Sequence, residues 1–185
     1  WRAERGLRVL YRGAEGGRGR GVGEKSHGSL SSIIVWGPPG TGKTTIARLL
    51  ADAADMAFEP ISAVFDGVGE LRKVFDRAAQ RHLQGRNTLL FVDEVHRFNK
   101  AQQDGLLPRV EDGTVTLVGA TTENPSFALN GALLSRVQVL VLDRLDRTAL
   151  EAILRRLEAH IGRDLPIDDE ARAALLSMAD GDGRY

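Results

Sequence analysis

One stretch restricts the fold more than any other: Ile33-Ile34-Val35-Trp36-Gly37-Pro38-Pro39-Gly40-Thr41-Gly42-Lys43-Thr44-Thr45. Its first four residues are apolar and β-branched or aromatic, which predicts a short buried strand. Gly37 to Thr44 then fits G-x-x-x-x-G-K-[ST], the P-loop pattern. Ile46, Ala47, Leu49, Leu50 and Ala51 follow as a helical run, so the order is strand, loop, helix. Such a loop wraps closely around phosphates, where a Cβ would obstruct it. Its N–H groups then point at phosphate oxygens from the positive end of the helix. The candidate nucleotide-binding residues are therefore Gly37, Pro38, Pro39, Gly40, Thr41, Gly42, Lys43, Thr44 and Thr45. Lys43 is expected at the β/γ-phosphates, and the Thr44 hydroxyl on Mg²⁺.

A second apolar run, Thr88 to Val92, ends in Asp93-Glu94. An apolar strand followed by two acids is the Walker B arrangement. Asp93 is expected to hold Mg²⁺ through its water shell, and Glu94 to orient and deprotonate the attacking water. His96 follows, read as a packing or hydrogen-bonding residue in preference to a metal ligand. A third apolar run, Thr114 to Ala120, ends in Thr121-Thr122-Glu123-Asn124-Pro125. A polar residue there either touches the γ-phosphate or belongs to a turn rich in Thr and Asn.

The remaining elements connect these three. Phe58-Glu59-Pro60-Ile61-Ser62 predicts a short strand, placed at a sheet edge because Pro60 has no N–H. Val68 to Gln84 predicts a helix with Leu71, Val74, Phe75, Ala78 and Ala79 on one face. Lys100 to Val110 reads as a helix weakened by Gly105 and Pro108. Leu129 to Arg136 is a short helix or turn, and Val137 to Leu142 a last strand. After Asp143 the alternation of strands and helices stops. Two helices follow, with Asp146 and Asp168 as their N-caps. The predicted domains are an irregular segment over 1–27, an α/β core over 28–143 and the start of a helical unit over 144–185.

Composition excludes several classes. The 185 residues carry no cysteine, so neither disulfides nor thiolate metal sites are available. No apolar run approaches the roughly 18 residues of a membrane-spanning helix, and an intracellular protein is expected. Formal net charge is zero, so global charge gives no argument for nucleic acid. Between Arg12 and Gly23 there are six glycines and three arginines, read as a flexible end or an Arg-Gly tail for nucleic acid. The chain starts at Trp1 and stops at Gly183-Arg184-Tyr185 inside a helical pattern without a stop signal. It is expected to be a piece of a longer protein.

The P-loop and the Asp93-Glu94 pair together resemble the AAA+ ATPases. The stretches Asp93-Glu94-Val95-His96-Arg97-Phe98-Asn99-Lys100-Ala101-Gln102-Gln103-Asp104 and Gly119-Ala120-Thr121-Thr122-Glu123-Asn124-Pro125-Ser126-Phe127 resemble the RarA/MgsA family, replication-associated recombination proteins of the clamp-loader clade. The resemblance runs from about Gly28 to Arg184. It implies a P-loop NTPase fold with a parallel sheet ordered 5-1-4-3-2 and an α-helical lid. Thr121 resembles the family's sensor 1, Arg136 the arginine finger that reaches a neighbouring subunit's ATP, and Arg184 the sensor 2 arginine of the lid. Residues 1–27 do not show the family's lead segment on the adenine side.

The expected reaction is Mg²⁺-dependent hydrolysis of ATP, with Glu94, Lys43, Thr121, Arg136 and Arg184 catalytic and Thr44 and Asp93 on the metal. The resemblance adds DNA at replication forks and in recombination or repair. It further implies a homo-oligomer, partners such as single-strand DNA-binding protein and replication factors, and a cytoplasmic, nucleoid-associated place in a bacterium. A clamp-loader-like or RuvB-like subunit, a P-loop phosphotransferase and a non-catalytic nucleotide-braced scaffold are the alternatives.

Overall fold

The computed structural model describes residues 30–184, and the expected irregular segment over 1–27 lies outside them. Five strands form one sheet: β1 (Ile33–Trp36), β2 (Ala57–Ser62), β3 (Thr88–Asp93), β4 (Thr116–Thr121) and β5 (Gln138–Val141). The order is β2-β3-β4-β1-β5, the 5-1-4-3-2 order read from its other edge. Every pairing is parallel, with Ile33 opposite Val118 on one side and Gln138 on the other. Pro60 does sit in an edge strand, where a missing N–H costs the ladder least.

Alternation along the strands feeds two cores. Ile33, Val35, Leu89, Phe91, Val118 and Ala120 pack under helix α1 (Lys43–Ala53), against its Ala47, Leu50 and Ala51. Ile34, Leu90, Val92 and Leu117 face the other way, toward Leu71, Val74 and Ala78 of α2 (Val68–Leu83) and Leu106 of α3 (Lys100–Glu111). Gly119 in β4 leaves room for Ile34 and Val95; a Cβ there would meet Ile34 Cδ1 at 2.6 Å.

Two expected helical stretches are present, and one expectation needs adjustment. Helix α3 runs unbroken to Glu111 through Gly105 and Pro108. Its start is held by a full capping box between Asn99 and Gln102, and its Gln103 and Leu106 are buried. The stretch 129–136 contains a single turn, α5 (Gly131–Leu134), preceded by another, α4 (Pro125–Ala128), each opened by an asparagine cap. The C-terminal pattern does have a stop. After α6 (Arg147–Ile161), helix α7 (Asp169–Ala179) ends at Asp180 and Gly181, both left-handed, with φ of 44° and 82°. The predicted caps Asp146 and Asp168 accept from Ala149 N–H and Ala171 N–H. Helices α6 and α7 close on a small core of their own, Leu150, Leu176 and Ala179. Arg172 of α7 ties them by bonding both Glu151 and Glu158 of α6. No described helix is long and apolar enough to cross a membrane.

Candidate functional site

Helix α1 opens without a side-chain cap. Its first residue follows Gly42, held at φ 89° in the left-handed region, and no acidic residue occupies the first turn. The N–H groups of that turn are therefore free to meet an anion. Gly40 is left-handed as well, at φ 69°, and a Cβ on it would run into Asp182. Pro39, Gly40, Thr41, Gly42, Lys43, Thr44 and Thr45 line the resulting cleft. Gly37 and Pro38 contribute differently: their carbonyls accept from Lys43 Nζ at 2.8 and 2.7 Å. The Thr41 hydroxyl also donates to Pro38 O, at 2.9 Å.

Asp93 and Glu94 line the same cleft at the end of β3. Asp93 and Thr44 line the cleft together, and among the described residues Asp93 forms no salt bridge. A carboxylate and a hydroxyl suit a hard cation such as Mg²⁺. Burial pulls the Lys43 ammonium below its usual pKa. Glu94 and Asp93 oppose that pull, and Arg184 adds to it. Incoming phosphates would complete this charge balance.

The segment after α7 lies against the loop. Gly183 N–H donates to Gly40 O at 3.1 Å, and Asp182 lies against Gly40. Arg184 reaches the cleft as expected, with its guanidinium held by Asp182 at 3.2 and 3.3 Å. Bonding to Arg184 holds the Asp182 carboxyl below its ordinary range, and the ion pair raises Arg184 in turn. Ile46, Leu145 and Ile153 give this end of the cleft an apolar wall, and Arg156 stands beside it. Sequence reasoning missed these four. Ile153, an apolar residue of α6, keeps 38% of its surface exposed.

Thr121 is where β4 ends, but its side chain is fully buried. Its hydroxyl accepts Glu123 N–H at 3.0 Å and donates to Glu123 O at 3.2 Å. The exposed neighbour, Thr122, carries its hydroxyl 3.4 Å from Glu94 Oε2. The two hydroxyls thus part at the strand end, Thr121 turning to Glu123 and Thr122 to Glu94. Arg136 does not join the cleft at all. It lies at the opposite end of the sheet, beside Ser32, Asn87 and Thr116 at strand beginnings, and bonds Glu111 and Ala132 O.

Residues 33–145 match the family described as "ATPase family associated with various cellular activities (AAA)". The chain is 51% identical over 162 residues to replication-associated recombination protein A of Escherichia coli (strain K12), covering 85% of this chain and 36% of that one. It is 46% identical over 159 residues to the ATPase WRNIP1 of Dictyostelium discoideum, covering 84% of this chain and 18% of that one. The chain thus spans about a third or less of the length of these relatives. Among solved structures, the Thermotoga maritima RuvB Holliday junction branch migration motor superposes with a TM-score of 0.68 at 28% identity, over 87% of this chain and 51% of that one.

Proposed function

Because the chain belongs to the AAA family of ATPases, and within it to the RarA/MgsA family of replication-associated recombination proteins, we propose that it binds ATP with Mg²⁺, hydrolyses it, and couples hydrolysis to work on DNA. One observation carries the reading: Lys43, the pair Asp93-Glu94, and Arg184, from three separate segments, line a single cleft over an uncapped helix start. Residues 28–143 form the proposed nucleotide-binding core, and 144–185 the lid.

In this reading the loop N–H groups and Lys43 hold the phosphates, and Arg184 approaches them from the lid once it leaves Asp182. Thr44 and Asp93 hold Mg²⁺, which supplies charge neutralisation on the phosphate oxygens. Glu94 takes the proton of the attacking water. Thr122, beside Glu94, orients that water or the γ-phosphate. Ile46, Leu145 and Ile153 cover the base. Further copies of the chain complete the site, each supplying Arg136 to a neighbour. DNA is the proposed macromolecular partner.

The test is phosphate release by the full-length gene product, with and without DNA. Glu94→Gln is expected to keep Mg·ATP binding and lower turnover by roughly 10²-fold or more, the scale of a lost general base. Lys43→Ala is expected to weaken binding itself. Near-normal turnover by Glu94→Gln would remove Glu94 from its role, and a wild-type protein that binds ATP without releasing phosphate would leave only a nucleotide-braced scaffold.

A further inference from the structure

The proposed hydrolysis requires that Glu94 be aimed, and resting on that reading we propose that His96 is the positioning residue that aims it. After β3 the backbone turns left-handed at Glu94, with φ 50° and ψ 47°. A 3₁₀ turn over Val95–Arg97 then folds the chain back, so the imidazole of His96 lies against the carboxylate of Glu94. The ring is nearly inaccessible, with 4% of the side chain exposed. Its Nδ1 stands 2.9 Å from Thr121 Oγ1 and 3.3 Å from Glu94 Oε2. Its Nε2 stands 3.3 Å from Glu123 Oε1.

The partners of Thr121 bear on how the ring bonds. The Thr121 hydroxyl gives its proton to Glu123 O and accepts Glu123 N–H. With its proton on Glu123 O the hydroxyl offers His96 a lone pair, and the proposal places the ring hydrogen on Nδ1. The same ring nitrogen faces Glu94 Oε2 in a close polar contact at 3.3 Å. The ring thus stands between the base that follows β3 and the end of β4. The contacts continue to the phosphate loop, because Thr121 O accepts the N–H of Gly37 at 3.2 Å and Thr121 pairs with Trp36 in the sheet. Among the described residues the side chain hydrogen-bonded to the Glu94 carboxylate is Thr122, at 3.4 Å.

A glutamate at a turn has several rotamers open to it, and a displacement near 1 Å at a reacting group costs about 10²-fold in rate. His96 removes that freedom without facing the cleft, so its loss should appear in kcat and not in nucleotide affinity. A histidine that only fills space would instead affect Tm, with no dependence on Glu94.

The experiment compares His96→Ala, His96→Asn and His96→Gln in the full-length protein, measuring kcat, KM, ATP affinity and Tm. Asn places an N–H donor near the position of Nδ1; Gln places one near Nε2. His96→Ala is expected to lower kcat by about 10- to 100-fold with ATP affinity within about threefold of wild type. His96→Asn should recover most of the loss, and His96→Gln little of it. In a Glu94→Gln background His96→Ala should cost less than about twofold more, because the group it positions is already gone. The proposal is overturned by wild-type kcat in His96→Ala, by equal losses in both backgrounds, or by recovery with Gln in place of Asn. If His96→Ala does not fold, the Asn and Gln variants decide alone. An inactive wild type, or an active Glu94→Gln, would overturn the proposed hydrolysis and not the placement of His96.

Discussion

Two neighbouring threonines divide the end of β4 between them. Thr121 turns inward to Glu123 and His96, while Thr122 turns outward to Glu94. Replacing each by valine removes one hydroxyl from nearly the same volume, so the two changes should separate cleanly. Thr121→Val is expected to destabilise the fold by about 1–2 kcal/mol, since Glu123 N–H and His96 lose a buried partner. Thr122→Val is expected to leave Tm unchanged within error and lower the rate of hydrolysis; thermal melts and phosphate release on the same preparations check both. The sequence marks the strand end as polar, but the side on which the pleat leaves the sheet depends on the register with β1 and β3, so the choice between the two residues was not legible. Lys43, Thr44, Asp93 and Glu94 were legible because each belongs to a fixed local spacing. His96 was legible as a packing or hydrogen-bonding residue but its partner was not, because Thr121 lies on a different strand and only the sheet order brings them together.

At the next scale, edge strand β2 is fastened to α2 by charge. Glu59, 9% exposed, accepts from Arg77 at 2.8 and 3.2 Å and from Arg81 at 2.6 Å. Bonding to Arg77 chiefly, and to Arg81, holds the Glu59 carboxyl below its ordinary value of 4.5 against the opposing effect of burial. A depressed carboxylate adds stability above its unfolded pKa and loses it as pH falls through the lower folded value. Chemical denaturation of the wild type should therefore show stability falling below about pH 4.5, and Glu59→Gln should show less of that fall. At neutral pH the same substitution is expected to cost about 1–2 kcal/mol, because both arginines are partly in water. Pro60 announced the edge position through its chemistry alone. Pro108 misled in the opposite sense: local propensity cannot weigh the Asn99–Gln102 box and the buried Leu106, which keep α3 intact. The end of α7 was also illegible, since Asp180 is a non-glycine residue in left-handed conformation and its Gly181 sits two residues before a second glycine.

For the whole molecule, the decisive fact is that the Arg136 end of the sheet and the P-loop end are opposite ends. The proposed role of Arg136 therefore acts across a contact between copies, where an arginine finger is worth about 10³- to 10⁵-fold in rate. In the full-length protein, Arg136→Ala and Glu94→Gln should each be nearly inactive. Mixed, some contacts pair an intact Glu94 site with an intact Arg136, and phosphate release should partly return. A mixture that co-assembles yet stays inactive would confine Arg136 to its bond with Glu111. The sheet order has a further consequence, in time. Strand β1 carries the phosphate loop, but its two neighbours, β4 and β5, come far later in the chain, with Ile33 opposite Val118 and Gln138. The ribosome therefore delivers the loop early and its supports last. Until Leu142 N–H reaches Trp36 O, β1 is itself an edge, open to pairing with any other unpaired strand. Nascent chains halted before Gln138 should thus be prone to association, and the ability to retain nucleotide should arise abruptly as β5 emerges.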